Sequence, residues 1–141
     1  YLNNETVKFD EENPLASFMF NTAKKDLNRI NNIHLLESPL YSDKLRVAGR
    51  VDCIAEFDGE LAVIDFKTST KPKQEKWIEN YFVQETAYAV MYYERCNVQV
   101  EKIVTIIAVE DGTMQIIEKT DLDYYYQLLI EYIDEFMAVL K

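Results

Sequence analysis

The sequence predicts an α/β fold, a mixed central β-sheet flanked by helices, with its elements in the order αβββαββα. Three observations carry that prediction. Asp58-Gly59 and Asp111-Gly112 each separate two strand-like runs, the mark of tight hairpins. The helically periodic stretch 74–96 joins the first hairpin to the next strand, and a connection of that length sets two strands parallel with right-handed crossover. Finally, 48% of the 141 residues are hydrophobic and only three are Gly and three Pro, which fits one domain over 1–141 with long elements and short loops.

Residues 1–12 are polar and acidic and read as an irregular lead-in. Asn13-Pro14 reads as a helix start, with Pro14 tolerated in the first turn. Leu15, Phe18, Met19, Ala23, Leu27 and Ile30 follow at helical spacing, and Asn31-Asn32 ends the segment. Ile33 to Glu37 is a short strand. Lys44 to Phe57 and Glu60 to Lys67 form the first hairpin, and Ser69 to Lys73 is a polar loop with Pro72. Gln74 to Cys96 is one long helix. Val100 to Val109, rich in β-branched residues, pairs through the second turn with Met114 to Glu118. Thr120 or Asp121 caps a last helix reaching Leu140.

Composition excludes several classes. A net charge of −10 argues against a protein that binds nucleic acid over its whole surface. The charge is uneven, however. Residues 44–76 hold seven of the fifteen basic residues and six of the twenty-five acids, a net of +1, which leaves −11 for the remainder. No apolar run is long enough to span a bilayer, and no signal peptide is visible. Cys53 and Cys96 are isolated, so a metal–thiolate or iron–sulfur site is not expected, and a reducing cytoplasmic compartment is. Cys53 reads as a core residue.

The chemistry concentrates on the first hairpin. With Asp58-Gly59 as its loop, Phe57 faces Glu60, and counting back sets Asp52 opposite Asp65. Directly opposed residues have Cβ atoms about 4.5–5.5 Å apart. Two like charges so close repel, and a divalent cation converts the repulsion into a binding site. Leu61, Val63 and Ile64 flank Asp65, so its strand reads as central and covered, where unpartnered carboxylates are costly. Period two places Lys67 on the face of Asp65.

On the following helix, Trp77, Tyr81, Gln84, Tyr88, Met91 and Arg95 alternate in steps of four and three and form one stripe. Trp77 and Met91 read as core. Gln84 and Tyr88 put an amide and a phenol on a packed face, where each needs a partner: helix–sheet hydrogen bonds, or a phosphate or metal-bound water at the site edge.

Gly49-Arg50-Val51-Asp52, Asp65-Phe66-Lys67-Thr68 and Gln84-Glu85-Thr86-Ala87-Tyr88 together resemble the GxxD, DxKT and QxxxY blocks of RecB-type nucleases in the PD-(D/E)xK superfamily. Order and spacing match over roughly 33–95, and the likeness extends to phage exonucleases and mitochondrial genome-maintenance exonucleases. The resemblance implies a restriction-endonuclease-like core. It implies that Asp52 and Asp65 ligate Mg²⁺ or Mn²⁺, with the Phe66 carbonyl a further ligand. Lys67 would position or activate the attacking water and stabilise charge on the phosphate. Gln84 and Tyr88 would orient Lys67 or contact DNA. Glu37 lies where such nucleases often carry an upstream acid and is a second-tier metal candidate.

One feature departs from the family. Many relatives have a histidine on a helix well upstream of the first block, whereas the only histidine here is His34, to which no role is carried over. A chain lacking an N-terminal helical segment is one expectation from this.

The expected activity is metal-dependent exonucleolytic hydrolysis of DNA in recombination, repair or replication-linked end processing. The alternatives are a catalytically inactive nuclease-like domain that binds DNA or protein, and an unrelated acidic interaction module. Expected partners are DNA ends or single strands, with a homo-oligomer or a replication or recombination protein as further candidates. The loop 69–73 offers groups for the DNA backbone, and Trp77 and Tyr81 are candidate stacking surfaces. The host cytoplasm is expected for a phage-encoded chain, with the mitochondrial matrix ranked behind.

Overall fold

The computed structural model describes residues 28–140, with side chains to 135. Its elements are strands β1 (Ile30–Ser42), β2 (Val47–Phe57) and β3 (Glu60–Ser69), a 3₁₀ turn (Glu75–Trp77), helix α1 (Glu79–Cys96), strands β4 (Lys102–Val109) and β5 (Met114–Lys119), and helix α2 (Leu122–Leu140). The five strands form one sheet in the order β1-β2-β3-β4-β5. Only β3 and β4 run parallel, and α1 is the crossover between them. This is the expected mixed sheet with flanking helices.

The two hairpins follow from their turn residues. Asp58 and Gly59 both take positive φ, 53° and 85°, as a two-residue turn between twisted strands requires. Asp111 Oδ1 accepts from the Thr113 amide at 2.9 Å and the Thr113 hydroxyl at 2.6 Å, which closes the second turn around Gly112 at φ 94°.

The sheet is apolar on both sides. Val51, Ile54, Val63, Ile103 and Ile107 pack with Phe82, Val83 and Met91 of α1 and Leu129 of α2. Cys53, Ala55, Phe57, Ala62, Ile64, Val104 and Ile106 form the opposite layer. Doubly covered strands need continuous apolar runs, and β3 and β4 have them. Burial, reinforced by the Asp52 charge, pushes the Cys53 thiol up to about 12, which fits its reading as a core residue.

Besides the register shift between Asn31 and Leu35 of β1, strand alternation slips once more. Val51 and Cys53 are two residues apart yet belong to layers on opposite sides of the sheet, and Leu36 and Leu40 of β1 divide in the same way. Leu36 pairs with Cys53 and Ser38 with Val51, so the slip falls where Glu37, at φ 47°, lies opposite Asp52. Such irregularities re-aim side chains and gather near functional sites.

Three sequence expectations are corrected. The helix expected from Asn13 lies outside the described residues for most of its length, but its proposed end does not: Ile30, Asn31 and Asn32 belong to β1. Asn32 takes φ 49°, a conformation asparagine tolerates, so the pair marks an irregular strand start rather than a helix end. The stretch 74–96 is not one helix. A 3₁₀ turn precedes α1, and Ile78 between them is non-helical at φ −121°. Trp77 therefore leaves the helical stripe and is 65% exposed instead of core. Met91 is buried as expected.

Candidate active site

The β2–β3 ladder pairs Phe57 with Glu60 and runs back to Cys53 with Ile64. The next step sets Asp52 against Asp65, where the ladder ends. The amide freed there is not lost, because Phe66 N–H donates to Asp52 Oδ2 at 2.9 Å. A side-chain carboxylate thus takes the place of a backbone carbonyl, and it fixes Asp52 beside β3. On the other edge of β3, Asp65 pairs with Thr105 and Lys67 with Ile107.

Asp65 is 6% exposed. Burial, and then the adjacent Asp52 carboxyl, push its carboxyl up to about 7, against the pull of the Lys67 ammonium. Its Oδ2 is buried and has no hydrogen bond of good geometry, while Lys67 Nζ stands 3.2 Å away. Partial burial disfavours the Lys67 ammonium, but Asp65, Tyr81 and Asp52 outweigh it, and the group titrates above its ordinary value. Lys67 therefore stays charged at neutral pH, and its Nζ lies 4.8 Å from the centre of the Tyr81 ring.

Tyr88 links the helix to the first block. It is buried, and its phenol is pushed up by burial and by Asp65, against a pull from the Arg50 backbone. The ring lies on Gly49. A Cβ there would come within 2.8 Å of Tyr88 Cε1 and 3.0 Å of its hydroxyl. The glycine of the GxxD block is thus the seat of the tyrosine of the QxxxY block.

Gln84 is not on the packed face; it is exposed, and its neighbour Glu85 is wholly buried. The Thr105 hydroxyl lies 2.8 Å from Glu85 Oε1 and 2.7 Å from Oε2. One hydroxyl proton serves one oxygen, so a neutral carboxyl satisfies both contacts. Burial pushes Glu85 up to about 9, opposed by the Thr105 hydrogen bond and raised further by Asp65. The reading of the sequence missed this residue. Thr105, the one hydroxyl in the run Lys102–Val109, was a signal that a polar partner faced it from the helix.

Glu37 does not join the acids. Its backbone lies opposite Asp52, but its side chain is exposed. Among the described residues no three His, Cys, Asp or Glu side chains are grouped to hold an ion. His34 Nδ1 is 2.9 Å from the Tyr92 hydroxyl, apart from the acids.

The donor set nevertheless fits a hard divalent cation. Two carboxylates meet, one with a buried oxygen lacking a hydrogen bond, and Mg²⁺ commonly takes only one or two carboxylates besides water and phosphate oxygens. Asp52 and Asp65 would hold the ion, and the Phe66 carbonyl on the same strand is a further oxygen donor.

The family model for the PD-(D/E)XK nuclease superfamily matches residues 5–128. The chain belongs to this superfamily. It is 34% identical over 114 residues to mitochondrial genome maintenance exonuclease 1 of Homo sapiens, covering 77% of this chain and 33% of that protein. The Xenopus tropicalis protein of the same name is 37% identical over 92 residues, covering 62% and 26%. The chain thus spans about a third of these relatives or less. A crystal structure from Eubacterium rectale named "Putative exonuclease" superposes with a TM-score of 0.66 at 12% identity, covering 93% of this chain and 53% of that one, which shows the shared fold. Superfamily and exonuclease relatives together support a nuclease function, and nucleases of this superfamily generally use divalent metal ions. No helix among the described residues is long and apolar enough to cross a membrane.

Proposed function

We propose that this chain is a Mg²⁺- or Mn²⁺-dependent DNA exonuclease domain that hydrolyses phosphodiester bonds during end processing in recombination, repair or replication. The observation that carries the reading is the strand register that brings Asp52 beside Asp65, with Asp52 Oδ2 tied to the Phe66 amide at 2.9 Å and Lys67 Nζ 3.2 Å from Asp65.

Asp52 and Asp65 would hold the cation, which when bound would polarise the phosphate and a water. Lys67 places a fixed positive charge where the phosphate gains negative charge, and being already charged it needs no proton transfer to act. Tyr88 and Glu85 hold the helix against the strands that carry these groups; Gln84, exposed at the same turn, is left to contact DNA. Glu37 remains an outer candidate that would have to swing in to reach the ion.

The test is digestion of 5′- and 3′-labelled single and double strands with Mg²⁺ or Mn²⁺, against the same mixtures in EDTA. Metal-stimulated release of terminal nucleotides is expected. DNA binding without release under any of these conditions would show a catalytically silent domain and end the assignment.

A further inference from the structure

Trp77 is the only tryptophan of the chain and the most exposed of its large exposed hydrophobic side chains among the described residues. Nothing about its backbone is loose. Trp77 N–H donates to the Gln74 carbonyl at 3.0 Å, Ile78 N–H to Glu75 at 3.1 Å, and the Ile78 side chain is buried beneath the turn. The ring joins neither apolar layer of the sheet and is held outward, 65% exposed, on an anchored turn.

The surroundings indicate what would cover it. Lys76 Nζ lies 5.8 Å from the Trp77 ring. Tyr81, four residues on, has its ring beneath Lys67, and Lys67 touches Asp65. Trp77 and Lys76 thus stand in the turn that leads directly into the helix whose first ring, Tyr81, carries the ammonium beside the acids. The loop between β3 and the turn carries Lys71 and Lys73, both exposed. It is also pinned: Lys73 N–H donates to Gln115 Oε1, and Gln115 Nε2 donates back to the Lys73 carbonyl, both at 2.8 Å. Cations cluster here on a chain of net charge −10. A flat apolar face with one ammonium beside it and two more on the pinned loop just before it matches a polymer of bases and phosphates. Only an unpaired strand offers a free base face, since duplex bases are already stacked.

We propose that Trp77 is a stacking platform for an unpaired base of single-stranded DNA entering the Asp52–Asp65–Lys67 site, with Lys71, Lys73 and Lys76 on the flanking phosphates. The inference deepens the nuclease reading and rests on it for the identity of the polymer.

The test uses the Asp65→Asn chain in EDTA, so that DNA binds without being cut. Its single tryptophan is titrated by fluorescence with oligothymidylate and with a blunt duplex. Saturable quenching by the single strand, and little by the duplex, is expected. With a labelled oligothymidylate read by anisotropy, Trp77→Ala should weaken binding ~5- to 100-fold and Trp77→Phe much less, as for loss of one stacked base. Matching far-ultraviolet dichroism would show that both variants fold. Equal affinity in Trp77→Ala, or equal quenching by the duplex, overturns the proposal. Wild-type digestion of the same oligonucleotide separates the two readings. Metal-dependent release with a KM unchanged by Trp77→Ala sinks the platform and leaves the nuclease. Trp77-dependent binding without release sinks the nuclease and leaves the platform.

Discussion

Asp65 is asked to be two things. Folding buries it beside Asp52, which favours its protonated form, while metal binding needs its carboxylate ionised. Lys67 balances that demand from 3.2 Å. Lys67→Ala should lower metal-dependent cleavage by ~10²–10³, the usual effect of removing one preorganised positive donor, with the unfolding midpoint close to wild type because the side chain is about a third exposed. Asp65→Ala should abolish cleavage. Steady-state digestion beside thermal melting checks both, and full activity in either variant would defeat the assignment. At this scale the sequence was legible where one strand register decides geometry: Asp52, Asp65 and Lys67 follow from counting outward from Asp58-Gly59. It was not legible at Gln84 and Glu85, where a small rotation of the helix exchanges a solvent-facing residue for a buried one, and the polar character of both conceals which is which.

Between elements, the decisive contact is that of β2 with α1. The slip of alternation at Asp52 and Glu37 turns Val51 toward the helix, and Gly49 leaves the gap that the Tyr88 ring fills. Gly49→Ala forces that ring to move, at a cost of ~1–3 kcal/mol as for other overpacked sites. Tyr88→Ala opens a void and is destabilising for the opposite reason. The two should be strongly non-additive, because the new methyl group has room once the ring is gone. Urea unfolding of both single variants and the double variant measures the coupling, and simple additivity would show that the ring does not rest on Gly49. The sequence named both residues but not their contact, since it joins positions far apart in the chain. The 3₁₀ break before α1 was hidden for a related reason. Residues 74–77 keep helical composition, and what ends the turn is the burial of Ile78, a tertiary demand.

Across the whole molecule, the parallel pair β3–β4 brings α1 down over the sheet, and a titratable group is trapped inside as a result. Glu85 is wholly buried between α1 and β4, and its carboxyl is moved from an ordinary 4.5 to about 9, chiefly by burial. Between those values the folded chain keeps a proton that the unfolded chain has released. The contribution of Glu85 to stability is therefore complete below about pH 4.5, declines as pH rises, and is exhausted near pH 9. The decline from one such group is at most about 1.4 kcal/mol per pH unit. Asp65 adds a decline of the same sign between its ordinary 3.8 and about 7. Above pH 7 the slope from these two groups belongs to Glu85 alone. Glu85→Gln keeps the shape, hydrogen-bonds Thr105 and has no proton to lose. Chemical denaturation from pH 5 to pH 9 should show wild type weakening through pH 7–9 while the variant stays nearly flat, becoming the more stable of the two at the alkaline end. Parallel slopes in the two proteins would mean that Glu85 is ionised in the fold, and that the Thr105 hydroxyl alone supports a buried charge.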